Sequence, residues 1–363
     1  MKKWNRLAAG ILVAALGAGL LTGCGSDAST ASAASAGKEA ESADTSGAAA
    51  APEADKAEAP AEAVTIRVAD FHNAIWNAQF IVAYQSGIFD EVFAGDNVTL
   101  DVATFANGPA VNEAFIAGEV DIVNGIGDQP IIAGAANGVG TRVLALVAKQ
   151  EKNIGIVAKA DSGIVKPEDL RGKRIGVYIG TYVHKSLIGI LGDYGISADD
   201  AEIVNIATIS DADAAFATGD IDAYLSMNAE YVNKNVASGE FVEVTDLTGH
   251  PAYSYIVASN DFVTRYPEVT QKFLNALQKG QELIDADREK AYELIVQYSE
   301  FEPDFVKGTL DQAGIEFDLS EDSVQNLHAT YDFMHDFEMI STELTSEEID
   351  AHIDRTFIDA VAK

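Results

Sequence analysis

Cysteine and positive charge are scarce in this sequence. One cysteine occurs among 363 residues, which excludes an intramolecular disulfide and a zinc site built from several thiolates. Lysine and arginine number 24 against 57 acidic residues, and the formal net charge is −33. Such a surface repels the phosphates of nucleic acids and anionic lipids, so nucleic-acid binding is excluded. The six histidines are scattered, and we expect no metal and no cofactor.

Motifs of several common enzyme classes are missing as well. The chain contains no G-x-S-x-G, no P-loop, no H-E-x-x-H and no dinucleotide-binding fingerprint. Apolar residues make up 48% of the chain, which is enough for more than one packed domain. We therefore expect a folded protein without enzymatic activity.

The first residues are typical of a secretion signal. Three basic side chains precede the uncharged apolar run 7–21, which as a helix spans about 22 Å and falls short of a bilayer core of about 30 Å. The run ends in Leu21-Thr22-Gly23-Cys24, which resembles the bacterial lipobox, whose cysteine is lipidated and becomes the mature N-terminus. Residues 1–23 are thus predicted to be a lipoprotein signal peptide. The alternative is an ordinary signal peptide with an accidental cysteine.

Residues 24–63 have a different composition from the rest. They are mostly Ala, Ser, Gly and Glu, and they contain no aromatic residue, Leu, Ile or Met. Such a segment buries too little apolar surface to offset its ordering entropy. We expect a disordered linker with a root-mean-square span of roughly 35 Å, anchored through the lipid on Cys24 to the outer face of the cytoplasmic membrane.

From residue 64 onward, short apolar strands alternate with helical stretches. The predicted strands are 65–71, 98–105, 120–126, 142–148, 154–159, 174–178, 202–206, 221–227 and 253–259, and amphipathic helices are predicted at 74–86, 109–117 and 183–194. This alternation is typical of an α/β fold with mainly parallel sheets. After residue 259 the pattern is almost purely helical. The length favours two lobes over one.

Three strand-to-helix junctions suggest a binding site. They are Phe105-Ala106-Asn107-Gly108-Pro109, Gly127-Asp128-Gln129-Pro130 and Gly180-Thr181-Tyr182-Val183-His184. Proline suits a first helical turn, glycine lets a backbone approach a ligand, and threonine is a good N-cap. Unpaired N–H groups at a helix start attract anions without a formal positive charge. Each junction alone is also compatible with an ordinary turn.

Taken together, the junctions carry a resemblance. The first motif is Gly108-Pro109-x-x-x-Glu113-Ala114-Phe115-x-x-Gly118-x-x-Asp121-Ile122. The motifs that follow it in the chain are Gly127-Asp128-x-Pro130 and residues 169–177, 180–184 and 211–223. In this order the motifs resemble the sulfonate/nitrate/taurine family of substrate-binding proteins of ABC transporters. The chain looks most like the aliphatic-sulfonate binders.

The resemblance implies a type II periplasmic-binding-protein fold, with two α/β lobes joined by two crossover strands and a helical C-terminal tail. The expected division is 64–156 for the first part of lobe 1, 157–254 for lobe 2, and 255–363 for the rest of lobe 1 and the C-terminal helices. The ligand would lie between the lobes. The residues implied as ligand-binding are His72, Asn73, Asn107, Gly108, Pro109, Gly127, Asp128, Gln129, Gly180, Thr181, Tyr182, His184 and Asn228.

The implied function is a monomeric, extracytoplasmic, solute-binding lipoprotein that delivers a small organic anion to an ABC permease and its ATPase. One departure leaves the ligand open, because Met227-Asn228-Ala229 stands where family members often have an aromatic-Asp-Pro step. Nitrate, a neutral pyrimidine or amide-type ligand, and a tethered ligand sensor remain alternatives. Pyrimidine-synthesising relatives use a cysteine-rich motif that a chain with only Cys24 cannot supply. Whether Trp76 lines the cleft or the core is left open.

Overall fold

The structure is a computed structural model that describes residues 63–71, 74–152, 154–197, 200–226 and 229–361. The predicted signal peptide, the lipidation site Cys24 and nearly all of the predicted linker lie outside the described residues. The same holds for His72, Asn73 and Asn228.

Strands and helices alternate through the first two thirds of the described chain. The strands are β1 (Val64–Asp70), β2 (Val98–Thr104), β3 (Ile122–Gly127), β4 (Thr141–Gln150), β5 (Gly155–Lys159), β6 (Arg174–Val177), β7 (Glu202–Asn205), β8 (Ala223–Leu225), β9 (Phe241–Asp246), β10 (Ala252–Ser259) and β11 (Gly314–Asp318). The helices are α1 (Ala78–Gln85), α2 (Ile88–Val92), α3 (Gly108–Ala117), α4 (Asp128–Ala136), α5 (Tyr182–Asp193), α6 (Ile209–Thr218), α7 (Ala229–Ser238), α8 (Asn260–Arg265), α9 (Pro267–Ala286), α10 (Arg288–Ser299), α11 (Pro303–Gln312), α12 (Glu321–Asp336), α13 (Ser346–Asp350) and α14 (Thr356–Asp359).

The strands form two sheets, which define two lobes. Lobe 1 holds the sheet β11-β4-β10-β3-β1-β2, in which β1 runs parallel to β2 and β3 while β10 runs antiparallel to β3 and β4. Lobe 2 holds the sheet β7-β6-β8-β5-β9, in which β6 runs parallel to β7 and β8 while β5 runs antiparallel to β8 and β9. Both sheets are therefore mixed, which corrects the expectation of mainly parallel sheets. The chain crosses to lobe 2 between β4 and β5 and returns between β9 and β10. The two crossing segments meet where the Leu247 backbone N–H donates to the Glu151 carbonyl at 2.8 Å.

Each of the nine predicted strands overlaps a strand of the structure, whereas β9 and β11 were not predicted. The expectation of an almost purely helical C-terminal region is qualified by one strand, β11, which pairs antiparallel with β4. Its sequence, Gly-Ile-Glu-Phe-Asp, is too short and too polar to stand out between helices, and it lies at the edge of the sheet. An edge strand takes its conformation from the neighbour it pairs with, which the local sequence does not reveal.

Both lobes contain the same clamp between an arginine and an aspartate. In lobe 1, the Arg67 guanidinium and backbone N–H donate to both carboxylate oxygens of Asp121. In lobe 2, Arg174 makes the same set of contacts with Asp222 at 2.7–3.2 Å. Both aspartates follow an A-F-x-x-G-x-x-D pattern whose glycine, Gly118 or Gly219, ends a helix in the left-handed conformation. The two lobes therefore share a local structural motif, a helix, a left-handed glycine and an arginine-bound aspartate.

Helices from the second half of the chain complete the core of lobe 1. The long amphipathic helix α9 packs on α1 and α2, where Phe273 lies against Phe80 and Phe89 with ring centroids 6.3 and 5.1 Å apart. Gly280 allows this approach, because a Cβ there would lie 2.3 Å from the Gln79 carbonyl oxygen. No helix within the described ranges is long and apolar enough to cross a membrane.

Candidate ligand-binding cleft

A cavity of about 680 Å³ lies between the two lobes. Lobe 1 supplies Phe71, Ala74, Trp76, residues 104–109, residues 125–127, Pro130 and Ser254 to its lining, and lobe 2 supplies Tyr178, Ile179, Thr181, Tyr182, residues 205–208 and Ser210. None of these described lining residues carries a formal charge. The cavity is therefore a largely apolar space with scattered amide and hydroxyl groups, of a size suited to a small organic ligand.

Four helices begin at this cavity, because four strands end there. From lobe 1 come the starts of α3, whose first residue Gly108 lines the cavity, and α4, whose N-cap is Gly127. From lobe 2 come the starts of α5, with N-cap Thr181, and α6, with N-cap Thr208. The first N–H groups of a helix have no partner within the helix, and the helix dipole makes this end positive. Four such ends around one uncharged cavity favour an anionic ligand.

The four helix starts differ in their capping. Asn107 accepts a hydrogen bond from the Ala110 N–H at 3.0 Å, and Thr208 accepts one from the Asp211 N–H at 3.1 Å. Gly127 provides no side-chain cap to α4, and the Thr181 hydroxyl instead donates to the Tyr178 carbonyl at 2.7 Å. The start of α5 thus lacks a side-chain cap that would compete with a ligand for its N–H groups, whereas at the start of α4 the Asp128 carboxylate accepts from the Gln129 N–H at 2.8 Å.

Two glycines allow the cavity walls to come together. A Cβ at Gly108 would lie 2.2 Å from Cγ of Pro130, so the starts of α3 and α4 touch at this point. A Cβ at Gly127 would lie 2.6 Å from Cδ1 of Tyr182. Since Gly127 belongs to lobe 1 and Tyr182 to lobe 2, the absence of a side chain here permits direct contact between the lobes across the cleft.

Trp76 belongs both to the cavity lining and to the core. Its side chain packs in the core of lobe 1 with 4% of its surface exposed. Its indole Nε1–H has no hydrogen-bond partner among the described residues. Because a buried indole N–H normally finds an acceptor, this donor at the cavity wall is suited to an oxygen of a bound ligand. The sequence did not distinguish a cleft position from a core position, and the structure shows both.

Of the ten predicted ligand-binding residues that the structure describes, six line the cavity and four do not. Asn107, Gly108, Pro109, Gly127, Thr181 and Tyr182 line the cavity. Asp128, Gln129, Gly180 and His184 lie outside its described lining, although each is next to it in sequence or one helical turn away. Sequence reasoning did not single out the lobe 2 segment 205–210, whose signal was the strand β7 followed by Thr208 as an N-cap.

Asp128 is fully buried and has partners of its own. Its Oδ2 atom accepts hydrogen bonds from Lys185 Nζ at 2.5 Å, from Asn326 Nδ2 at 2.9 Å and from Thr330 Oγ1 at 2.8 Å. Its Oδ1 atom accepts from the Gln129 backbone N–H at 2.8 Å. These hydrogen bonds satisfy both carboxylate oxygens, so Asp128 holds the start of helix α4 in position and is not free to bind a ligand.

His184 is buried among aromatic rings rather than in the cavity. Its ring lies edge-on to Phe333 and Phe337, with centroids 5.4 and 6.5 Å away. Burial lowers the pKa of the imidazole to about 4. The imidazole is therefore neutral at neutral pH, as expected from the sequence. Desolvation, rather than the helix N-terminus, lowers its pKa. The ring contacts Phe333 of α12 instead of the cavity wall.

The described lining of the cavity contains no His, Cys, Asp or Glu side chain that could bind a metal ion. Within the described residues, no cluster of three or more His, Asp, Glu or Cys side chains could hold a metal ion.

Comparison with known proteins identifies relatives of two kinds. The chain is 32% identical over 198 residues to the taurine-binding periplasmic protein of Escherichia coli. The matched part covers 53% of this chain and 60% of that protein, which is less than two thirds of its length. It is 26% identical over 286 residues to a putative aliphatic sulfonates-binding protein of Bacillus subtilis, covering 77% of this chain and 83% of that protein. Enzymes also occur among the relatives, for example a 4-amino-5-hydroxymethyl-2-methylpyrimidine phosphate synthase of Aspergillus parasiticus.

A solved structure and a family model agree with these relatives. The alkanesulfonate-binding protein SsuA of Xanthomonas axonopodis pv. citri, bound to MOPS, superimposes with a TM-score of 0.70 at 22% identity, covering 82% of this chain and all of that one. The expected periplasmic-binding-protein fold and the expected likeness to sulfonate- and taurine-binding proteins are thereby confirmed. The model described as "NMT1/THI5 like" matches residues 77–291, more than half of the 363 residues, and the chain therefore belongs to the NMT1/THI5-like family.

Proposed function

We propose that this protein is the extracytoplasmic solute-binding component of an ABC importer and binds a small organosulfonate between its lobes. The observation that carries the proposal is the convergence of four helix starts on one cavity without formal charge. A sulfonate offers three acceptor oxygens and one negative charge, which match directed N–H groups. Relatives named as taurine- and aliphatic sulfonate-binding proteins support the same ligand class.

The experiment is a ligand screen by thermal unfolding of the full-length chain. The panel contains alkanesulfonates, taurine, nitrate, carboxylates and pyrimidines, so that it includes the alternative ligands. A ligand that binds only the folded state raises its stability by RT ln(1 + [L]/Kd), about 2.7 kcal/mol at a hundredfold excess over Kd. We expect the largest rise with a sulfonate. A rise with pyrimidines and none with sulfonates would contradict the proposal.

The protein binds its ligand without altering it. The cavity lining lacks the charged acid–base pairs, nucleophile–base pairs and metal ligands that catalysis requires, within the described residues. Because enzymes occur among the relatives, mass spectrometry should follow the bound ligand after prolonged incubation. Quantitative recovery of the unchanged ligand is expected, and a chemically altered product would reject this part of the proposal.

Lipidation of Cys24 anchors the protein at the outer face of the cytoplasmic membrane. The support is the Leu21-Thr22-Gly23-Cys24 sequence after a short apolar run. Cys24→Ser should release the protein from the membrane or block its processing, whereas a substitution in the linker, such as Ser35→Ala, should do neither. A Cys24→Ser protein that is processed normally and remains on the membrane would show that the anchor is elsewhere.

The partners follow from the importer role. A permease and its ATPase would receive the ligand, and reconstitution of the three components should give ligand-dependent ATP hydrolysis. A tethered sensor would bind the same ligand without stimulating a transporter. Stimulation by the liganded protein therefore distinguishes the importer from the sensor.

A further inference from the structure

We propose that the cleft selects sulfonates whose organic part is uncharged and apolar, ring-sized groups included, and that it rejects aminosulfonates such as taurine. This inference rests on the proposed sulfonate-binding function and names the substrate class within it. It distinguishes this chain from the taurine-binding protein to which it is 32% identical over 198 residues.

The walls beyond the helix starts are apolar and partly aromatic. The side chains that form them are those of Phe71, Trp76, Phe105, Ile126, Tyr182 and Ile206. Side chains of this kind gain free energy by covering apolar ligand surface, and flat rings stack well on aromatic ones. The cavity volume of about 680 Å³ leaves room for a ring as well as for a sulfonate group.

A bound ammonium group would find no free carboxylate in the described lining. Three acids directly adjoin lining residues, and two of them are engaged elsewhere. Asp70 is 1% exposed and accepts hydrogen bonds from Asn124 at 3.0 Å and Tyr298 at 2.6 Å. Asp128 is held by the Lys185 network. The third, Asp211, is exposed in the first turn of α6 and does not line the cavity.

The positions next to the lining that lie outside the described residues do not change this count. In the sequence they are His72 and Asn73, between Phe71 and Ala74, and neither is acidic. Removing an ammonium ion from water without a paired carboxylate is costly. Taurine would lose that solvation free energy in this cleft, while an alkyl chain of the same size would gain from burial.

Taurine and propane-1-sulfonate provide the matched test, because they differ by an ammonium in place of a methyl group. We expect calorimetry on the full-length chain to give a Kd for taurine at least about a hundredfold higher than for propane-1-sulfonate. Lengthening the alkyl chain should lower Kd about fourfold for each methylene group. Taurine within tenfold of propane-1-sulfonate would overturn this inference alone. Failure of every sulfonate to bind would overturn the proposed function instead.

Two variants test where the selectivity arises. Asp211→Asn should leave the ratio of the Kd for taurine to the Kd for propane-1-sulfonate unchanged. A selective loss of taurine binding would show that Asp211 binds the ammonium group and would refute the proposal. Phe105→Ala should weaken benzenesulfonate binding about tenfold and methanesulfonate binding much less. Phe305→Ala, at a half-buried position outside the cavity, is the matched control. Equal benzenesulfonate affinity in Phe105→Ala and this control would refute the ring-binding wall.

Discussion

Lys185 on helix α5 of lobe 2 donates a hydrogen bond at 2.5 Å to the fully buried carboxylate of Asp128 on helix α4 of lobe 1. Lys185 also donates to Asn326 and Thr330 of helix α12, both at 2.6 Å. Both α4 and α5 begin at the cavity, so this ion pair joins the two lobes within one helical turn of the cavity wall. A buried charge that is paired and hydrogen-bonded is tolerated, whereas one that loses its partner is strongly destabilising.

Removal of the cation should therefore destabilise the protein markedly. We expect Lys185→Met to lower the free energy of unfolding by about 3 kcal/mol or more, because it leaves the Asp128 carboxylate buried without a cation. Adding Asp128→Asn should recover part of that loss. Urea unfolding at pH 7 provides the measurement, and Lys290→Met, which breaks the exposed pair with Glu293, should change little. A Lys185→Met protein with wild-type stability would contradict the role of this ion pair.

His184 should make the stability of the protein depend on pH. Its pKa is about 4 in the folded protein because of burial, and 6.5 is the ordinary value expected after unfolding. Between these values the unfolded state binds more protons, so stability rises with pH. The contribution is fully present above pH 6.5 and is lost as pH falls through 4. It amounts to about 3 kcal/mol between pH 7 and pH 4.

The matched variant is His184→Leu, which fills the site between Phe333 and Phe337 without a titratable group. Urea unfolding at pH 7, 5.5 and 4 should show a smaller loss of stability for this variant than for the wild type. His328→Leu is the control, since His328 lies near the surface beside Asp350. The same pH dependence in His184→Leu and in the wild type would mean that other groups dominate acid destabilisation.

Asn107 offers a test of the helix-start site that leaves folding intact. Aspartate is as good an N-cap as asparagine, so Asn107→Asp should keep the bond from the Ala110 N–H and the stability of α3. The added negative charge at the cavity should weaken sulfonate binding about tenfold or more. Calorimetric titration with propane-1-sulfonate measures the effect.

A remote cap serves as the control for this charge. Ser320 caps helix α12 in the same way, by accepting a hydrogen bond from the Ser323 N–H, and it lies outside the cavity lining. Ser320→Asp adds the same charge and should leave sulfonate affinity unchanged. Equal affinities in Asn107→Asp and Ser320→Asp would place the anion away from the start of α3.

The sequence was sufficient to predict features that depend on local pattern. Proline and glycine after apolar strands predicted the helix starts near Pro109 and Pro130, and the lobes followed from alternating strands and helices. It was insufficient where a tertiary partner decides. Asp128 has the pattern of a cleft residue, but its partners Lys185, Asn326 and Thr330 lie 57 to 202 residues away in the chain. His184 likewise sits in the expected first helical turn, yet its ring packs against Phe333 of α12 and Phe337, the C-cap of that helix.

Gly127 gives the most direct test that lobe contact is needed for binding. A methyl group there would lie 2.6 Å from Tyr182 Cδ1 of the opposite lobe, well inside van der Waals contact. Because the clash is between lobes, the protein relieves it by separating the lobes at this point, which also strains the neighbouring Lys185–Asp128 pair. Gly127→Ala should therefore raise the Kd for propane-1-sulfonate about tenfold or more and lower the melting temperature of the unliganded protein.

The control for this substitution is Gly192→Ala in helix α5, where a Cβ would meet no atom within 4 Å. It should leave binding unchanged and raise stability slightly, since alanine is the better helix former. Tyr182→Leu combined with Gly127→Ala removes the ring from the clash and should restore part of the affinity. If Gly127→Ala binds propane-1-sulfonate as tightly as Gly192→Ala does, closure of the lobes at this point does not contribute to holding the ligand.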